Sequence, residues 1–373
     1  MSGIGLVQVY TQVRSAHLER INEHPDAHLL YSYRSYDFDG ALADPTRVRK
    51  VTGPRLIGEI VRLRPRVIEV TEPLALGGLS RAAAATVAAG LLRLSGRSDP
   101  RVVSYAIENL DPFRTPRYPG IGGLARRVQH RLLNRWVSRR VTRVAFGTAA
   151  AAELYQQRRP RLARAATVTI PALPAVCDCL GTHVPAGRKV RGRAMFVGSF
   201  SERKGLPQLA SAWPAAAPSG ATLELIGSGP LLESARRLAT RADVSLTVDP
   251  PRGEVHRALR EATVVVLLSQ PRLRWREQVG LPIVEALAHG CTVLTTDQTG
   301  LAGWLAGNGH RVLPSAPVSG GSAGTAAGVA DPAATAAALR SALADPLPPA
   351  EVVASLPAVD GRAAAAEWMW TAP

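Results

Sequence analysis

The chain has 373 residues, a length that suits two domains better than one compact core. Hydrophobic residues make up 46% and charged residues 20% of the sequence, which excludes a chain that is disordered throughout. The formal net charge of +16 favours anionic partners such as acidic lipid headgroups, nucleic acid or phosphorylated substrates.

Short apolar strands alternate with helical stretches through the first half of the chain. Strands are predicted at residues 6–10, 27–33, 66–70, 101–107, 143–147 and 167–171. Strands separated by helices are typical of βαβ units and a parallel sheet. The N-terminal sequence lacks a basic n-region, and no apolar run reaches the length of a membrane span, so we expect neither a signal peptide nor a spanning helix.

The alternation is interrupted and then resumes. A stretch rich in Pro, Gly and Arg predicts a linker, and further strands are predicted at residues 193–198, 221–227, 244–248, 263–269 and 291–296. The low-complexity segment 315–330 predicts a flexible loop, and D-G-R-A-A-A-A-E-W-M-W predicts a final helix.

The predicted fold class is therefore α/β, with two Rossmann-like doubly wound domains that face a cleft. The first domain spans residues 1–172 and the linker residues 173–192. The second domain spans residues 193–350, and the segment 351–373 holds a helix that crosses back to the first domain.

The three cysteines do not indicate a disulfide framework. Cys177 and Cys179 lie too close together for an easy disulfide, and Cys291 is left over. The sequence shows no further metal ligands near the pair. We therefore expect free thiols in a reducing cytoplasm and no metal site.

Two glycine-containing turns follow predicted strands in the second half. In V-G-S-F-S-E-R-K-G-L, Gly198 makes room for a phosphate, and Arg203 and Lys204 stand just before a helix. In L-I-G-S-G-P, Gly227 and Gly229 can bring the backbone close to a nucleotide. Each pattern, taken alone, equally fits an ordinary connection with solvated cations.

The stretch E-Q-V-G-L-P-I-V-E-A-L-A-H-G, residues 277–290, holds two carboxylates around Gly280 and Pro282. Pro282 predicts the first turn of a helix that ends near Gly290. The free amides at that helix start suit a diphosphate, and Glu277 and Glu285 on either side can accept hydrogen bonds from sugar hydroxyls. The alternative is that Glu285 only complements the helix dipole and Glu277 is solvated.

The order and spacing of these three motifs resemble the C-terminal domain of retaining GT-B glycosyltransferases of family 4, the group 1 glycosyltransferases, over residues 190–345. The strongest element is E-x-x-x-x-x-x-x-E with G-L-P inside it. The resemblance implies a hexosyltransferase-type enzyme that uses a UDP- or GDP-linked sugar, retains the anomeric configuration and needs no metal or other cofactor.

The resemblance also implies roles for individual residues. Lys204, helped by Arg203, would bind the diphosphate of the donor. Glu277 would face the transferred sugar, and Glu285 would hold the ribose hydroxyls. The remaining donor contacts would come from the phosphate-cradling amides and the glycine turns, at Gly198, Ser199, Gly227, Gly229, Val279, Gly280 and Leu281, with the base near residues 248–252.

Some positions depart from the family pattern. Ser199 stands where members often have Arg, and Gln278 and Val279 replace a Gly and an aromatic residue. The Gly-rich loop after the first strand is missing, so acceptor or phosphate contacts there would fall to Thr11, Gln12 or Arg14. Many members carry a His where this chain has Glu108 and Asn109; we expect Glu108 at the cleft, unless it only caps a helix or turn.

The positive charge lies mostly in residues 1–186, which hold 27 Lys and Arg against 14 Asp and Glu. Arginine-rich coding bias explains part of this, since only three residues are lysines. Within that half, residues 124–143 predict a basic amphipathic helix that could lie on an anionic membrane. The alternative, which we favour at this point, is a helix whose apolar face packs on the sheet.

The sequence thus predicts a cytoplasmic glycosyltransferase, with a possible position at the inner membrane face, in cell-envelope, polysaccharide or natural-product glycosylation. Its partners would be a nucleotide-sugar donor and a carbohydrate, lipid-linked or small-molecule acceptor. One alternative is a non-catalytic basic scaffold or nucleic-acid-binding protein on a degenerate GT-B fold, although aromatic stacking platforms are sparse and we expect no nucleic acid partner. Another alternative is a GT-B sugar-nucleotide epimerase.

Overall fold

The computed structural model describes residues 5–35, 38–114, 120–158, 162, 165–180, 189–315 and 331–371. It divides into two compact units. The first unit holds the chain up to Ile170 together with the segment from Ala363 onward, and the second unit is Pro171–Arg362. The predicted flexible loop lies, from residue 316 to residue 330, outside the described residues, as do residues 181–188 of the predicted linker.

The first unit is built on a seven-stranded sheet with the order β5-β3-β1-β6-β7-β8-β9, in which every pairing is parallel. A separate parallel pair joins β2 to β4. The elements are β1 (Leu6–Val9), β2 (Gln12–Val13), α1 (Ser15–Asn22), β3 (Ala27–Tyr31), β4 (Tyr33–Arg34), β5 (Val48–Lys50), α2 (Arg55–Leu63), β6 (Val67–Val70), α3 (Leu79–Leu94), β7 (Arg101–Ala106), α4 (Gly120–Ser138), β8 (Arg143–Phe146), α5 (Ala149–Arg158) and β9 (Ala166–Thr169).

The second unit is built on a six-stranded parallel sheet with the order β12-β11-β10-β13-β14-β15, the strand order of dinucleotide-binding Rossmann folds. The remaining elements are β10 (Arg193–Val197), α6 (Leu206–Ala216), β11 (Thr222–Ile226), α7 (Leu232–Leu238), β12 (Val244–Thr247), α8 (Arg252–Glu261), β13 (Val264–Leu267), α9 (Leu281–Ala288), β14 (Thr292–Thr296), α10 (Ala302–Gly307), β15 (Arg311–Leu313), α11 (Pro332–Ala344), α12 (Pro349–Ala354) and α13 (Gly361–Trp370).

The central strands are buried on both faces because helices cover both sides of a parallel sheet. Every residue of β13, V-V-V-L, and of β14 is buried. All eleven strands predicted from the sequence are confirmed, as is the two-unit α/β fold class. Four short strands escaped prediction, namely β2, β4, β5 and β15, because runs such as V-R-K and R-V-L are too short and too polar to show a strand pattern.

The helix α13 completes the core of the first unit. Ala365 and Met369 are buried in the same cluster as Leu6 and Leu18. Arg101 donates to the carbonyl oxygens of Trp370 and Thr371, each at 2.8 Å. α13 lies within the segment 351–373 where a C-terminal helix was predicted, and its last turns pack against the sheet formed by the start of the chain.

The basic helix α4 differs from its prediction in extent and in orientation. It ends at Ser138, and Arg143 already begins β8, so the predicted range 124–143 is too long at its C-terminal end. An apolar stripe along α4 is exposed, with accessibilities of 89% for Ile121, 60% for Leu124, 47% for Val128 and 62% for Leu132. The favoured interpretation, in which this face packs on the sheet, is therefore wrong for the stripe. Among the described helices, none combines the length and the hydropathy that a membrane crossing requires.

Candidate active site

Two glycine turns and the start of α9 meet at the carboxyl end of the second sheet. Gly227 has φ 139°, and a Cβ there would stand 2.0 Å from the carbonyl oxygen of Gly198. A Cβ on Gly198 would lie 3.6 Å from Cγ of Pro282. The turns that follow β10 and β11 and the first turn of α9 are thus neighbours, at the edge where parallel α/β sheets bind ligands.

Gly229 is required by the packing of these turns against each other. It has φ 149°, and a Cβ there would lie 2.7 Å from the carbonyl oxygen of Phe200. The same carbonyl accepts from the amide of Leu231 at 2.9 Å, and the Phe200 amide donates to Ser228 O at 2.8 Å. The glycines therefore allow the two turns to pack backbone against backbone. Ser199 lies beside Gly229, and its Oγ would be 3.0 Å from a Cβ at residue 229.

Lys204 and Glu277, 73 residues apart in the chain, form a buried ion pair between Nζ and Oε2. Their accessibilities are 9% and 8%. Lys204 ends a short 3-10 turn, and the next residue, Gly205, has φ 78° and packs so closely that a Cβ would stand 2.0 Å from Leu268 O. The sequence motifs thus predicted two residues that the fold brings into direct contact.

Two neighbours of this pair were not predicted from the sequence. Ser269, fully buried, donates its hydroxyl hydrogen to Oε2 of Glu277 at 3.2 Å. The guanidinium of Arg203 lies 4.7 Å and Nζ of Lys204 lies 5.6 Å from the ring centroid of Trp275, within the range of a cation–π contact. The signal for Trp275 was its position two residues before Glu277, between Arg274 and Arg276.

The helix α9 begins as the motif predicts. Gly280 is its N-cap with φ 89°, Pro282 lies in the first turn, and Gly290 follows the helix with φ 71°. Leu281 is 62% exposed at the helix start, and Val279 O accepts from Thr299 Oγ1 at 2.8 Å. The positive end of the helix dipole therefore faces an accessible, well-fixed backbone segment.

Glu285 lies on the second turn of α9 and pairs with a residue from α8. Its Oε1 is 3.1 Å from Nη1 of Arg252. Burial raises the pKa of the Glu285 carboxyl, and the charge of Arg252 partly offsets that rise. Arg252 marks the end of the segment 248–252 where the base was expected, so that segment lies beside the second carboxylate of the motif.

Glu108 and Asn109 follow β7 in the first unit. Their loop is held by the carboxylate of Glu72, a residue that the sequence did not indicate as important. Glu72 is 6% exposed and accepts from the amides of Ile107 and Glu108 at 3.1 Å and from the Tyr155 hydroxyl at 2.9 Å. Burial, and then the nearby charge of Glu108, raise the pKa of Glu72 to about 7. Asn109 is buried, and Oε1 of Glu108 accepts from the amide of Leu110 at 3.3 Å.

The three residues predicted to replace the Gly-rich first loop lie between β1 and α1. Thr11 Oγ1 donates to Gly77 O at 3.3 Å, and Gln12 pairs with Tyr33 in the small β2–β4 sheet. The amide of Arg14 donates to Nδ1 of His17 at 3.2 Å at the start of α1. Their roles toward an acceptor or phosphate stay predictions.

Residues 191–345 match the family described as glycosyl transferases group 1. A search of curated proteins found no match. Among solved structures, the chain is similar to Anabaena HepE in complex with UDP, with a TM-score of 0.62 at 15% identity over 98% of this chain and 95% of that chain. WaaG, a glycosyltransferase involved in lipopolysaccharide biosynthesis, gives a TM-score of 0.59 at 15% identity, with 98% and 99% covered.

Sucrose-phosphate synthase from Thermosynechococcus elongatus gives a TM-score of 0.55 at 16% identity, with 98% and 96% of the two chains covered. At such identities the similarity concerns the fold alone. Two parallel-sheet α/β units in this arrangement along the chain are those of GT-B glycosyltransferases, so the predicted fold class is confirmed.

Proposed function

We propose that this chain, which carries a group 1 glycosyltransferase domain over residues 191–345, moves a sugar from a UDP- or GDP-linked donor to a hydroxyl acceptor with retention at the anomeric carbon. The observation that carries the proposal is the buried ion pair between Lys204 and Glu277. Two glycine turns and the start of α9 lie at the carboxyl end of the strands in the same unit. A cation, a carboxylate and free helix amides are the groups that a sugar diphosphate needs.

Donor binding would exchange the partner of Lys204. The diphosphate takes the place of Glu277 beside the ammonium group, with Arg203 and the amides of Val279–Leu281 as further sources of positive charge. Glu277, which keeps its hydrogen bond from Ser269, then accepts from hydroxyls of the transferred sugar. Glu285 accepts from the ribose hydroxyls, as the resemblance implies.

The same groups would lower the barrier to transfer. The nucleoside diphosphate leaves more readily when Lys204 and the helix start neutralise its developing charge, and no metal is required for this in our proposal. The oxocarbenium-like sugar is stabilised by Glu277 and by the departing phosphate. Glu108 and Asn109, with Thr11, Gln12 and Arg14, are the candidates for contacts to the acceptor.

We further propose that the acceptor belongs to the cell envelope, to a polysaccharide or to a glycosylated natural product, and that the enzyme meets it at the inner membrane face. The exposed apolar stripe of α4 supports a membrane contact, since arginines at 126, 131 and 135 are exposed on the same helix. One similar structure is that of WaaG, a glycosyltransferase involved in lipopolysaccharide biosynthesis, and lipopolysaccharide is a component of the cell envelope.

Release of UDP or GDP from a panel of sugar nucleotides tests the donor reaction, and nuclear magnetic resonance of the product gives its anomeric configuration. We expect Lys204→Met and Glu277→Gln each to lower kcat/KM by about 100-fold or more, the typical cost of losing one preorganised charge partner. Arg236→Met is the matched control, because it removes an exposed cation from the same unit and should leave turnover unchanged.

Three outcomes would contradict the proposal. The first is that no donor binds while nucleic acid does, unaffected by either substitution, which would indicate a scaffold. The second is a free sugar nucleotide with one inverted centre, which would indicate an epimerase. The third is full turnover in Lys204→Met or Glu277→Gln, which would show that the pair takes no part in the mechanism. A product with the inverted anomeric configuration would contradict only the proposed retention.

A further inference from the structure

Four side chains with metal-binding atoms, none of them assigned a role in the proposed transfer reaction, converge in the second unit. Cys177 lies directly before the 3-10 turn Asp178–Leu180 near the start of this unit, and Cys179 lies within that turn. His256 lies within α8, and His289 follows the last residue of α9. Their sulfur and nitrogen atoms all lie within 4.8 Å of one another. The expectation that the cysteine pair has no further ligands nearby is therefore wrong.

Four of the six separations among these atoms are close to the edges of a tetrahedron around one ion. Nδ1 of His256 is 3.6 Å from Sγ of Cys177 and 3.8 Å from Sγ of Cys179, and Nε2 of His289 is 3.2 Å from Sγ of Cys179 and 3.1 Å from Nδ1 of His256. Metal bonds of about 2.3 Å to sulfur and 2.0 Å to nitrogen imply edges of roughly 3.5 Å for S···N and 3.3 Å for N···N.

The two sulfur atoms need a small adjustment. They lie 2.7 Å apart, and the same bond lengths imply about 3.8 Å, so one thiol must move by roughly 1 Å. A rotation of the exposed Cys179 side chain supplies that movement. The distance is also longer than a disulfide bond of about 2.05 Å, and both cysteines are free thiols.

The surrounding contacts orient the ligands. The Glu285 carbonyl oxygen lies 2.6 Å from Nδ1 of His289, and because a carbonyl only accepts, Nδ1 carries the hydrogen and Nε2 offers its lone pair to the cluster. The Cys177 amide donates to Ala288 O at 3.0 Å, which fixes the cysteine segment against the end of α9. Such outer hydrogen bonds are what metal-binding histidines commonly have.

We propose that Cys177, Cys179, His256 and His289 bind one Zn²⁺ ion. Two thiolates and two imidazoles in a tetrahedron are the ligand set that favours zinc among the common cellular metals. Four protein ligands leave no position for water or substrate, so the ion is structural. It fastens the segment that enters the second unit to α8 and α9, and it fixes the C-terminal end of the helix that has Gly280 as its N-cap and Pro282 in its first turn.

The test uses the full chain, purified without a histidine tag and reduced with a phosphine, which does not compete for zinc. Elemental analysis should find one zinc per chain. After removal of zinc and reconstitution with Co²⁺, the spectrum should show the visible bands of tetrahedral cobalt and a thiolate charge-transfer band in the near ultraviolet. Titration with a chromophoric competitor should show one tight equivalent, and zinc should slow alkylation of Cys177 and Cys179.

Substitutions decide which residues hold the ion. Cys179→Ser and His256→Gln should abolish stoichiometric zinc binding and the cobalt charge-transfer band. Cys291→Ala and His24→Gln are matched controls, since they remove a thiol and an imidazole outside the cluster and should leave one zinc bound.

The proposal is overturned if reduced, folded wild-type protein binds no zinc, if its cobalt spectrum lacks the thiolate band, or if Cys177 and Cys179 form a disulfide that persists under reduction. The wild-type titration and spectrum remain decisive even where a variant fails to fold. None of these readouts depends on sugar transfer, so failure here and failure of the proposed function are separate results.

Discussion

Ser269 donates a hydrogen bond that would hold Glu277 in place if, as we propose, Lys204 turns to the diphosphate of a donor. Oε2 of Glu277 accepts from both the ammonium group of Lys204 and the Ser269 hydroxyl. Once a diphosphate binds Lys204, the Ser269 hydroxyl is the one of these two donors that still contacts Glu277. In the proposed mechanism Ser269 is therefore a positioning residue, which would act on the sugar through Glu277 rather than by touching it.

Ser269→Ala is predicted to lower kcat by about 10-fold. The substitution removes a hydrogen bond to the charged carboxylate of Glu277, and such a bond contributes about 1.5 kcal/mol. The donor KM should change little, since Lys204 and the helix start still bind the diphosphate. Steady-state kinetics measure both parameters, and thermal unfolding checks that the buried substitution keeps the unit folded.

Ser245→Ala is the matched control, since Ser245 is exposed on β12. A Ser269→Ala enzyme with unchanged kcat, or with a loss confined to KM, would contradict the positioning role. Ser269→Thr, which keeps the hydroxyl, should recover part of the rate if the side chain fits.

At this scale the sequence could predict some contacts and not others. Lys204 and Glu277 were predicted as partners of one ligand because each lies in a motif with a defined place on a Rossmann-like sheet. Arg252 and Ser269 carry no motif, so their contacts with Glu285 and Glu277 depend on side-chain packing that only the fold reveals. His256 and His289 are 79 and 110 residues from the cysteines they approach, which is why the cluster was missed.

The helix α4 shows how a helical period leaves its orientation open. The spacing of its leucines and valines predicts an amphipathic helix, and the structure has one. The period cannot say which face is covered, because a membrane and a protein core demand the same apolar stripe. Here Asn134 and Val137 face inward, and Asn134 donates to Pro73 O, while Leu124 and Leu132 face outward.

Replacement of Leu124 and Leu132 together by Glu is predicted to weaken binding to vesicles of phosphatidylcholine and phosphatidylglycerol by about 100-fold. Each leucine that enters the lipid interface contributes about 1.5 kcal/mol or more, and each added carboxylate is repelled by the anionic surface. Vesicle sedimentation measures the partition coefficient, and added salt should weaken wild-type binding by screening the arginines.

The control for this element is Leu94→Glu, because Leu94 is 88% exposed in the same unit but lies on α3. It should bind vesicles nearly as the wild type does. An equal loss of vesicle binding in both variants would indicate a general effect of added negative charge. If the wild type bound neutral vesicles as strongly as anionic ones, the role given to the arginines would be contradicted.

Over the whole molecule, the chain builds the first unit, then the second, and returns to finish the first. Arg101 on β7 and Arg143 on β8 both donate to carbonyl oxygens at the end of α13, the latter to Trp368 O at 2.6 Å. Trp370 donates its indole hydrogen to Oε2 of Glu69 on β6 at 3.0 Å. A substitution near the C-terminus should consequently act on the sheet made by the N-terminal residues.

Met369→Ala is predicted to loosen the first unit and to leave the second unit unchanged. Met369 is fully buried among residues of β1, α1 and β3, and removing such a side chain costs about 2–5 kcal/mol through lost burial and a residual cavity. Hydrogen exchange read by mass spectrometry should show protection of β1 and β3 falling by about 30-fold or more, while β10 and β13 keep theirs.

Met195→Ala provides the mirror image of this experiment. Met195 is equally buried but lies on β10, so its loss should lower protection in β10 and β13 and spare β1 and β3. If both substitutions loosened both units to the same degree, the chain would unfold as one cooperative block. If Met369→Ala loosened neither, α13 would contribute nothing to the first core. Selective loss in each variant would mean that the two units are stabilised by separate cores, although one chain threads both.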